Sequence, residues 1–228
     1  MGTVHDGFLA IWKEISDEHE VDYLHWLTRE HVFERVGVSG FRAGRVFRNV
    51  QASPRQFFIL YDLASAEVLS SDAYLQRLNQ PTPWSQRTMP YMKNFVRAGG
   101  SVVAAACSGP GVGNAGVVGT IRFDSGLSME PHSVPGQLAE QVSTMEKMCG
   151  ARWLEVEDEG TRIRTKEKGL RPQDDRVFRS MLLVEGLDVA SVRNALERAK
   201  ALLIQAGCTD CPEGQIYTSV FSVNHGMS

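Results

Sequence analysis

Several predicted strands of this chain are apolar on both of their alternating faces. The clearest is the segment 57–63, FFILYDL, and the segments 181–184 and 216–221 repeat the pattern. A strand with apolar side chains on both faces must be covered on both faces. Helices cover one face of a sheet, so the second face requires another layer. We therefore expect two antiparallel sheets packed face to face within one chain.

The order of predicted elements repeats in the two halves of the sequence. Predicted strands lie at 7–15, 41–50, 57–63 and 101–107, with helices at 16–36 and 66–78 and a short helical or irregular piece at 84–95. The second half has predicted strands at 117–123, 151–157, 176–184 and 216–223, a helical stripe of Leu138, Val142, Met145 and Cys149, and a helix from Asp188 to Gly207. Each half has the order β-α-β-β-α-β of a ferredoxin-like unit. We predict an α+β fold of two fused ferredoxin-like repeats, 1–108 and 117–228, joined by a glycine-rich link at 109–116.

Composition narrows the class of partner. The 228 residues fit one large domain or two domains of about 100 residues each. A net charge of −3 offers no basic surface for nucleic acid or anionic lipid, and no apolar stretch is long enough to span a bilayer. The N-terminus lacks the pattern of a signal peptide. We expect a cytoplasmic protein that acts on a small molecule, with no nucleic acid or membrane partner.

Three other patterns favour structural roles. Cys208 and Cys211 have C-x-x-C spacing, but they follow a helix end, whereas a redox pair would begin a helix. The glycines of the link lack the Lys-Ser/Thr of a phosphate-binding loop. The charged segment 155–168 has mixed signs, which predicts a solvated loop rather than an anion site.

Four short motifs resemble the EthD-like branch of the dimeric α+β barrel superfamily. They are Glu30-His31, Gly40-Phe41-x-x-Gly44-Arg45, Leu60-Tyr61-Asp62-Leu63 and Ser71-x-x-Tyr74-Leu75. The resemblance covers roughly 7–105; Ser39 stands where the family often has proline, and the second half resembles a diverged repeat without Glu-His. It implies a cleft between a sheet and its covering helices. Relatives include cofactor-free monooxygenases, polyketide cyclases, lactone isomerases and heme proteins, so the fold alone does not choose the reaction.

His31 is the leading candidate catalytic residue. At 100° per residue it shares the inward face of the first helix with Leu24, Leu27, Thr28 and Arg35. A desolvated imidazole there is either a general acid/base or a core histidine held by a backbone carbonyl. Glu30 or a carbonyl would orient it.

Five other residues complete the predicted site. Tyr61 would donate a hydrogen bond to a carbonyl or oxyanion, or else pack in the core. Trp26 lies on the opposite side of the first helix from His31, where it packs under the segment 79–95, or else forms an oligomer contact or a pocket wall. Within that segment, Trp84, Arg87 and Tyr91 are candidate substrate-binding residues, with Arg87 suited to a carboxylate or phenolate. The alternative is a surface loop whose Trp84 fills the core.

No cofactor or metal is predicted. In the heme-binding relatives the ligand lies in the C-terminal repeat, whose helices here carry no histidine; His132 is in a loop and His225 in the tail. His19, His25 and His31 are six residues apart, whereas a metal pair on a helix needs spacings of three or four.

The leading hypothesis is a cofactor-independent enzyme that acts on a small aromatic or carbonyl-bearing metabolite. The reaction would be His-mediated proton transfer, of the isomerase, cyclase or lyase type. A cofactor-free monooxygenase and a non-catalytic ligand-binding or assembly protein are the alternatives. A homodimer stays open.

Overall fold

A computed structural model describes residues 6–51, 55–107, 113–124, 134–161 and 163–226. Half of the predicted link, 109–112, and His132 lie outside the described residues. The chain divides into two units. Unit 1 comprises Met1–Ser101, Val156–Val177 and Val220–Ser228, and unit 2 comprises Val102–Glu155 and Phe178–Ser219.

The strands, in chain order, are β1 (Gly7–Ile15), β2 (Phe41–Asn49), β3 (Arg55–Leu63), β4 (Lys93–Cys107), β5 (Val117–Phe123), β6 (Met148–Val156), β7 (Ser180–Gly186) and β8 (Gln215–Asn224). The helices are α1 (Glu20–Trp26), α2 (Val32–Val36), α3 (Asp72–Leu78), α4 (Pro83–Thr88), α5 (Val134–Ser143), α6 (Asp158–Thr161) and α7 (Val189–Gln205). Single 3₁₀ turns lie at Asp17–His19, Ala66–Ser70, Met89–Tyr91 and Lys168–Leu170, and a π-helical turn at Leu27–His31 joins α1 to α2. No helix in the described ranges is long and apolar enough to cross a bilayer.

Unit 1 has an antiparallel sheet in the order β4-β1-β3-β2. β3 pairs with β1 through Ile11 and Ile59, and with β2 through Val46 and Ile59. β1 also pairs with the first part of β4, in a register that places Ala10 opposite Ala98. One face of this sheet carries the helices of the unit, because Leu9 and Ile11 join the same core cluster as the buried residues of the first helical segment.

Both faces of the central strands are buried, as the sequence predicts. In β1 every residue from Phe8 to Trp12 is at most 6% exposed, and Phe57 to Tyr61 of β3 are fully buried. On the face away from the helices, Trp12 stacks on Phe58 with ring centroids 4.7 Å apart. The prediction fails for the end of β8, since Val220 is 40% exposed.

Unit 2 has an antiparallel sheet in the order β8-β5-β7-β6. Helices α5 and α7 pack on it, and Leu138, Val142, Val192 and Leu203 belong to its core cluster. α7 begins where predicted, because Asp188 Oδ1 accepts a hydrogen bond from the Ser191 amide at 2.8 Å. It ends before Gly207, whose φ of +97° is a conformation that favours glycine.

The predicted boundaries of β4 and α5 differ from those in the structure, and β7 begins at Ser180 rather than at 176. β4 begins at Lys93 rather than at 101, because the Gly99-Gly100 pair has low strand propensity in sequence. In the structure Gly99 lets a helical neighbour approach closely, since a Cβ there would lie 2.2 Å from Leu69 Cδ1. α5 ends at Ser143, so Cys149 lies in β6 and does not continue the predicted helical stripe.

Candidate functional site

A small, partly open cavity lies in unit 1 between the helix-facing side of the sheet and the segment 165–171. Its volume is about 30 Å³, room for about one or two water molecules. Apolar side chains form part of its wall, including Leu9, Ile11, Trp26 and Phe95. The rest is polar, and is lined by Lys13, His31, Arg35, Tyr61, Tyr74, Arg97, Thr165, Glu167, Lys168 and Arg171.

His31 ends the π-helical turn and points into this cavity. It is 4% exposed, and burial, followed by the charges of Arg35 and Lys13, holds the pKa of its imidazole well below the usual value. The imidazole is therefore neutral at physiological pH. Its Nδ1 is buried and meets no hydrogen-bond partner among the described residues. A neutral imidazole with a free ring nitrogen is a competent proton acceptor.

The π-helical turn decides what lies beside His31. In a regular α-helix, residues five apart differ by about 140° around the axis. This spacing predicted Trp26 and His31 on opposite sides of the helix. In a π-helix hydrogen bonds join residues five apart, so such residues lie one above the other. The rings of Trp26 and His31 are in contact, with centroids 4.2 Å apart. Trp26 thus forms a wall of the cavity, while its Nε1 donates to Ser85 Oγ at 3.1 Å.

Arg35, one turn beyond His31, forms a buried ion pair. Its Nη2 donates to both carboxylate oxygens of Glu167 at 2.6 Å. Burial lowers the pKa of Arg35, but the Glu167 carboxylate, together with the nearby Tyr74, Tyr61 and Glu34, raises it more, and the net shift is upward. The other terminal nitrogen, Nη1, is buried with no hydrogen-bond partner in the described part of the chain. The Glu167 carboxylate therefore neutralises the guanidinium charge and accepts from Nη2, whereas Nη1 can donate to a bound group.

Tyr61 lies on β3 and presents a third buried atom without a partner. Its Oη forms no hydrogen bond with any residue that the structure describes. Burial raises the pKa of the phenol well above its usual value, so the group stays protonated and acts as a donor. Gly44 on β2 makes room for the ring, because a Cβ at that position would lie 2.9 Å from Tyr61 Cε1.

Positive charge exceeds negative charge around the cavity. Among its lining residues, Arg35, Arg97, Lys168, Arg171 and Lys13 are basic, and the carboxylate that faces them is Glu167. Arg171 also pairs with Asp175 at 2.6 Å, and Arg97 donates to Tyr74 Oη at 3.1 Å. Burial, followed by the charge of Arg97, lowers the pKa of Lys168 to about 8. Such a field favours a bound anion and disfavours further protonation.

Lys13 extends the apolar row of β1. It follows Leu9 and Ile11 at the strand period of two, on the face that packs against the helices, and is 2% exposed. Its Nζ lies 5.2 to 5.7 Å from the centroids of the Tyr23, Trp26 and Phe95 rings. Burial, followed by the charge of Arg171, lowers its pKa to about 7. About half of the Lys13 amines are therefore neutral near pH 7.

Four predicted site residues lie away from this cavity. Glu30 accepts a hydrogen bond from Thr82 Oγ1 at 2.6 Å, at the start of α4, so it does not orient His31. The other three are Trp84, which donates to Asp22, Arg87, which is exposed and pairs with Asp22, and Tyr91, which stacks on His19. The structure brings His31, Tyr61 and Trp26 together and leaves these four on the outer side of the helices.

The cationic half of the site was not predicted. Lys13 had a signal in the sequence, since a single lysine interrupts the apolar segment GFLAIWKEI. The segment 155–168 was expected to be solvated, which is wrong at its end because Glu167 is 4% exposed. A run of mixed charges resembles a surface loop unless the buried partner, here Arg35, is known.

The residues of unit 2 that the structure describes do not fit a heme. A cavity of about 290 Å³ in this unit is lined by Thr120, Arg122, Phe123, Asp124, Asp210, Pro212, Glu213 and Gln215, none of which is a heme ligand. Helices α5 and α7 carry no histidine.

The C-x-x-C pair shows no sign of redox activation. Burial, followed by the neighbouring Cys208, raises the pKa of Cys211 to about 11, whereas a reactive thiol has a lowered pKa.

Comparisons with known proteins find likeness in structure alone. No protein-family model matches the sequence, and no curated protein matches it. An anthrone oxidase-like protein superposes with a TM-score of 0.62 at 12% identity, covering 98% of this chain and 94% of the other. The chain has the fold of the dimeric α+β barrel superfamily.

Two further solved structures show the same likeness of fold. A protein assigned as a monooxygenase, from Fusobacterium nucleatum, gives a TM-score of 0.59 at 12% identity, covering 99% of this chain and 97% of the other. A protein assigned as a chlorite dismutase gives 0.53 at 9% identity, covering 96% of each chain. The names of these neighbours are those of small-molecule enzymes, and the identities support likeness of fold only.

Proposed function

We propose that this protein is a cofactor-independent enzyme that removes a proton from a small aromatic or carbonyl-bearing compound whose reacting carbonyl or hydroxyl group enters the unit 1 cavity, since about 30 Å³ has no room for the whole molecule. One observation carries the proposal. Three buried polar atoms without partners, His31 Nδ1, Arg35 Nη1 and Tyr61 Oη, belong to residues that line this one cavity. An unpartnered buried polar atom costs about 1–3 kcal/mol, so three around one space favour a ligand that satisfies them.

Each of the three groups has a distinct chemical role. His31, kept neutral by burial and by nearby cations, accepts the proton from a C–H or O–H of the substrate. Tyr61, kept protonated by burial, donates a hydrogen bond to the oxygen on which charge develops. Arg35 holds the resulting enolate or phenolate through its free nitrogen.

The excess of positive charge is what makes proton removal favourable here. A carbon acid or phenol loses its proton more readily when cations stabilise the anion, and Arg35, Arg97 and Arg171 surround the cavity. The same cations oppose protonation of His31 in the free enzyme. Proton transfer forms a substrate anion and an imidazolium. The cations favour the transfer because they stabilise the anion, although they destabilise the imidazolium.

A cofactor-free monooxygenase is the second candidate. Two of the similar structures are named as anthrone oxidase-like and as a monooxygenase. The first step would be the same deprotonation, after which the substrate anion reacts with dioxygen instead of regaining a proton. A non-catalytic binding protein would use the same cavity without either step.

Deuterium exchange tests the proposal before the substrate is known. Small cyclic diketones and hydroxyaromatic compounds are incubated with the protein in D₂O, and exchange at carbon is followed by NMR. We expect exchange above the buffer rate, reduced about 10²- to 10⁴-fold in His31→Asn. His25→Asn, an exposed histidine of α1, is the matched control and should leave exchange unchanged.

Oxygen uptake, measured on the same samples, separates the two enzyme hypotheses. Exchange without oxygen consumption supports an isomerase, cyclase or lyase, and exchange with stoichiometric oxygen consumption supports the monooxygenase. Saturable binding without exchange would show a binding protein. Equal exchange rates in wild type and His31→Asn would remove His31 from the mechanism.

We also propose that the two units are ferredoxin-like repeats of the EthD-like branch. Their strand orders, β4-β1-β3-β2 and β8-β5-β7-β6, are equivalent when each unit is numbered from its own first strand, which supports a duplication. A homodimer remains a prediction, which light scattering of the purified chain tests.

A further inference from the structure

We propose that Lys13 is a nucleophile that forms an imine with an aldehyde or ketone group of the substrate. This inference rests on the proposed function, because it assigns the substrate class for the same cavity. It narrows that class to compounds with a free carbonyl group. The imine formed by Lys13 would also withdraw electrons from the adjacent carbon of the substrate.

The position of Lys13 is unusual for a structural lysine. Buried lysines are rare unless they are paired with a carboxylate. Lys13 is 2% exposed, yet its Nζ contacts three ring faces and forms no ion pair with the described residues. The same side chain lines the cavity that contains His31 and Tyr61. An apolar strand position would be filled more stably by methionine or leucine, so the amine needs another reason.

The charge state of Lys13 suits nucleophilic attack. Only the neutral amine adds to a carbonyl, and an ordinary lysine is neutral in about one molecule in 10³ at pH 7. Desolvation and the charges of Arg171 and Arg35 bring the pKa of Lys13 to about 7, against the opposing charge of the Glu167 carboxylate. Ring faces stabilise the ammonium by only about 0.5–2 kcal/mol, which is less than the cost of burying it. Desolvated lysines beside other cations are the type that forms imines.

The step balances without an external oxidant or reductant. The Lys13 nitrogen attacks the carbonyl carbon, and the C=O electron pair moves to oxygen as the C–N bond forms. A proton passes from nitrogen to that oxygen and gives a carbinolamine. A second proton, taken from water, lets the oxygen leave as water, and a protonated C=N bond remains. Hydrolysis reverses the sequence and returns the amine.

The neighbouring groups match the needs of this chemistry. Tyr61 Oη is a protonated, unpartnered donor that can bond to the carbonyl oxygen during attack. Once the protonated imine has formed, the adjacent C–H is more acidic than in the parent ketone, and His31 is the base available in the same cavity. The surrounding cations disfavour the positively charged imine relative to the neutral enamine, so they promote loss of this proton.

Reductive trapping tests the inference. The full-length protein is treated briefly at pH 7 with acetaldehyde, a carbonyl compound of three heavy atoms, and cyanoborohydride, and the modified lysines are located by peptide mass spectrometry. Lys93, exposed on β4 beside β1, is the internal control. At equal access the neutral fractions favour Lys13 over an ordinary lysine by about 10³-fold. Burial reduces the access of the reagents to Lys13, which offsets part of this advantage. We therefore expect Lys13 to be labelled at least about tenfold faster than Lys93.

The pH profile distinguishes Lys13 from the other lysine of the cavity. Labelling of Lys13 should reach half its maximal rate near pH 7, and that of Lys168 near pH 8. Lys13→Arg should lose the fast label while Lys93 keeps its slow one. A Lys13 rate at or below that of Lys93, or a fast label on Lys168 instead, would overturn the inference. Trapping needs no turnover, so its failure is distinct from a failure of deuterium exchange.

Discussion

Burial and nearby cations lower the pKa of both Lys13 and His31. Both side chains are buried, and Arg35 and Arg171 add positive charge near each of them, which at Lys13 is opposed by the Glu167 carboxylate. The cavity therefore contains a neutral imidazole and an amine that is about half neutral near pH 7, beside guanidinium groups that stay charged.

The lowered pKa of Lys13 makes stability depend on pH. Between about pH 7 and its ordinary value of 10.5, the unfolded chain holds a proton on Lys13 that the folded chain does not. Stability therefore rises with pH across this window, and the cost of burying Lys13 is fully present below pH 7. We expect Lys13→Met to flatten this slope, and to stabilise the protein at pH 7 by about 1–4 kcal/mol.

Urea denaturation at pH values from 6 to 10 measures this effect. Lys93→Met, at an exposed lysine of the adjacent strand, should keep the wild-type slope. Parallel curves for wild type and Lys13→Met would mean that Lys13 is already charged when folded, held by its aromatic neighbours.

At the scale of residues, periodicity predicted part of this site. The inward face of the first helix contains His31 and Arg35, as 100° spacing indicated. Tyr61 was identified as a candidate from its strand. Lys13 was not, because a lone lysine in an apolar strand gives no indication of which rings and cations will surround it.

At the scale of elements, the π-helical turn and a strand glycine together shape the cavity. The turn at Leu27–His31 brings Trp26 over His31. Gly44 lets α2 and the ring of Tyr61 approach the backbone of β2 closely. The hydrophobic pattern predicted the helix, but regular α-helical spacing placed Trp26 on the side opposite His31. One extra residue in a turn leaves no mark in a hydrophobic pattern of this length.

Gly44→Ala tests the close approach at β2. The new Cβ would lie 2.8 Å from Val32 Cγ1 and 2.9 Å from Tyr61 Cε1, so α2 and the Tyr61 ring must both shift. We expect a loss of about 1–3 kcal/mol of stability, measured by thermal or urea unfolding. Gly113→Ala, where a Cβ would meet nothing within 4 Å, should be near neutral. An unchanged melting temperature for Gly44→Ala would show that this contact is not tight.

At the scale of the whole molecule, unit 1 depends on segments far apart in sequence. Arg35 and Glu167 are 132 residues apart and form a buried ion pair. The fold class could be predicted from element order, because strands and helices alternate clearly. The contribution of Val156–Val177 to unit 1 could not, since this segment has no hydrophobic period and its charges resemble those of a surface loop.

Removing one partner of this ion pair should be costly. Glu167→Gln leaves the Arg35 guanidinium buried without a counter-charge, and we expect a loss of about 3–5 kcal/mol, measured by urea denaturation. The double variant Arg35→Met with Glu167→Leu should recover much of that loss, because no charge is then left buried. Arg87→Met, which breaks an exposed pair with Asp22, should cost about 0–1 kcal/mol. A small effect for Glu167→Gln would mean that Arg35 reaches water.

The discontinuity of unit 1 also has a consequence for the growing chain on the ribosome. At about 5–20 residues per second, the 132 residues between Arg35 and Glu167 take of the order of ten seconds to synthesise. During that interval Arg35 has been synthesised but the carboxylate that neutralises it has not. Synthesis of the segment 165–171, rather than folding of the N-terminal strands alone, is thus the event that completes the cavity wall.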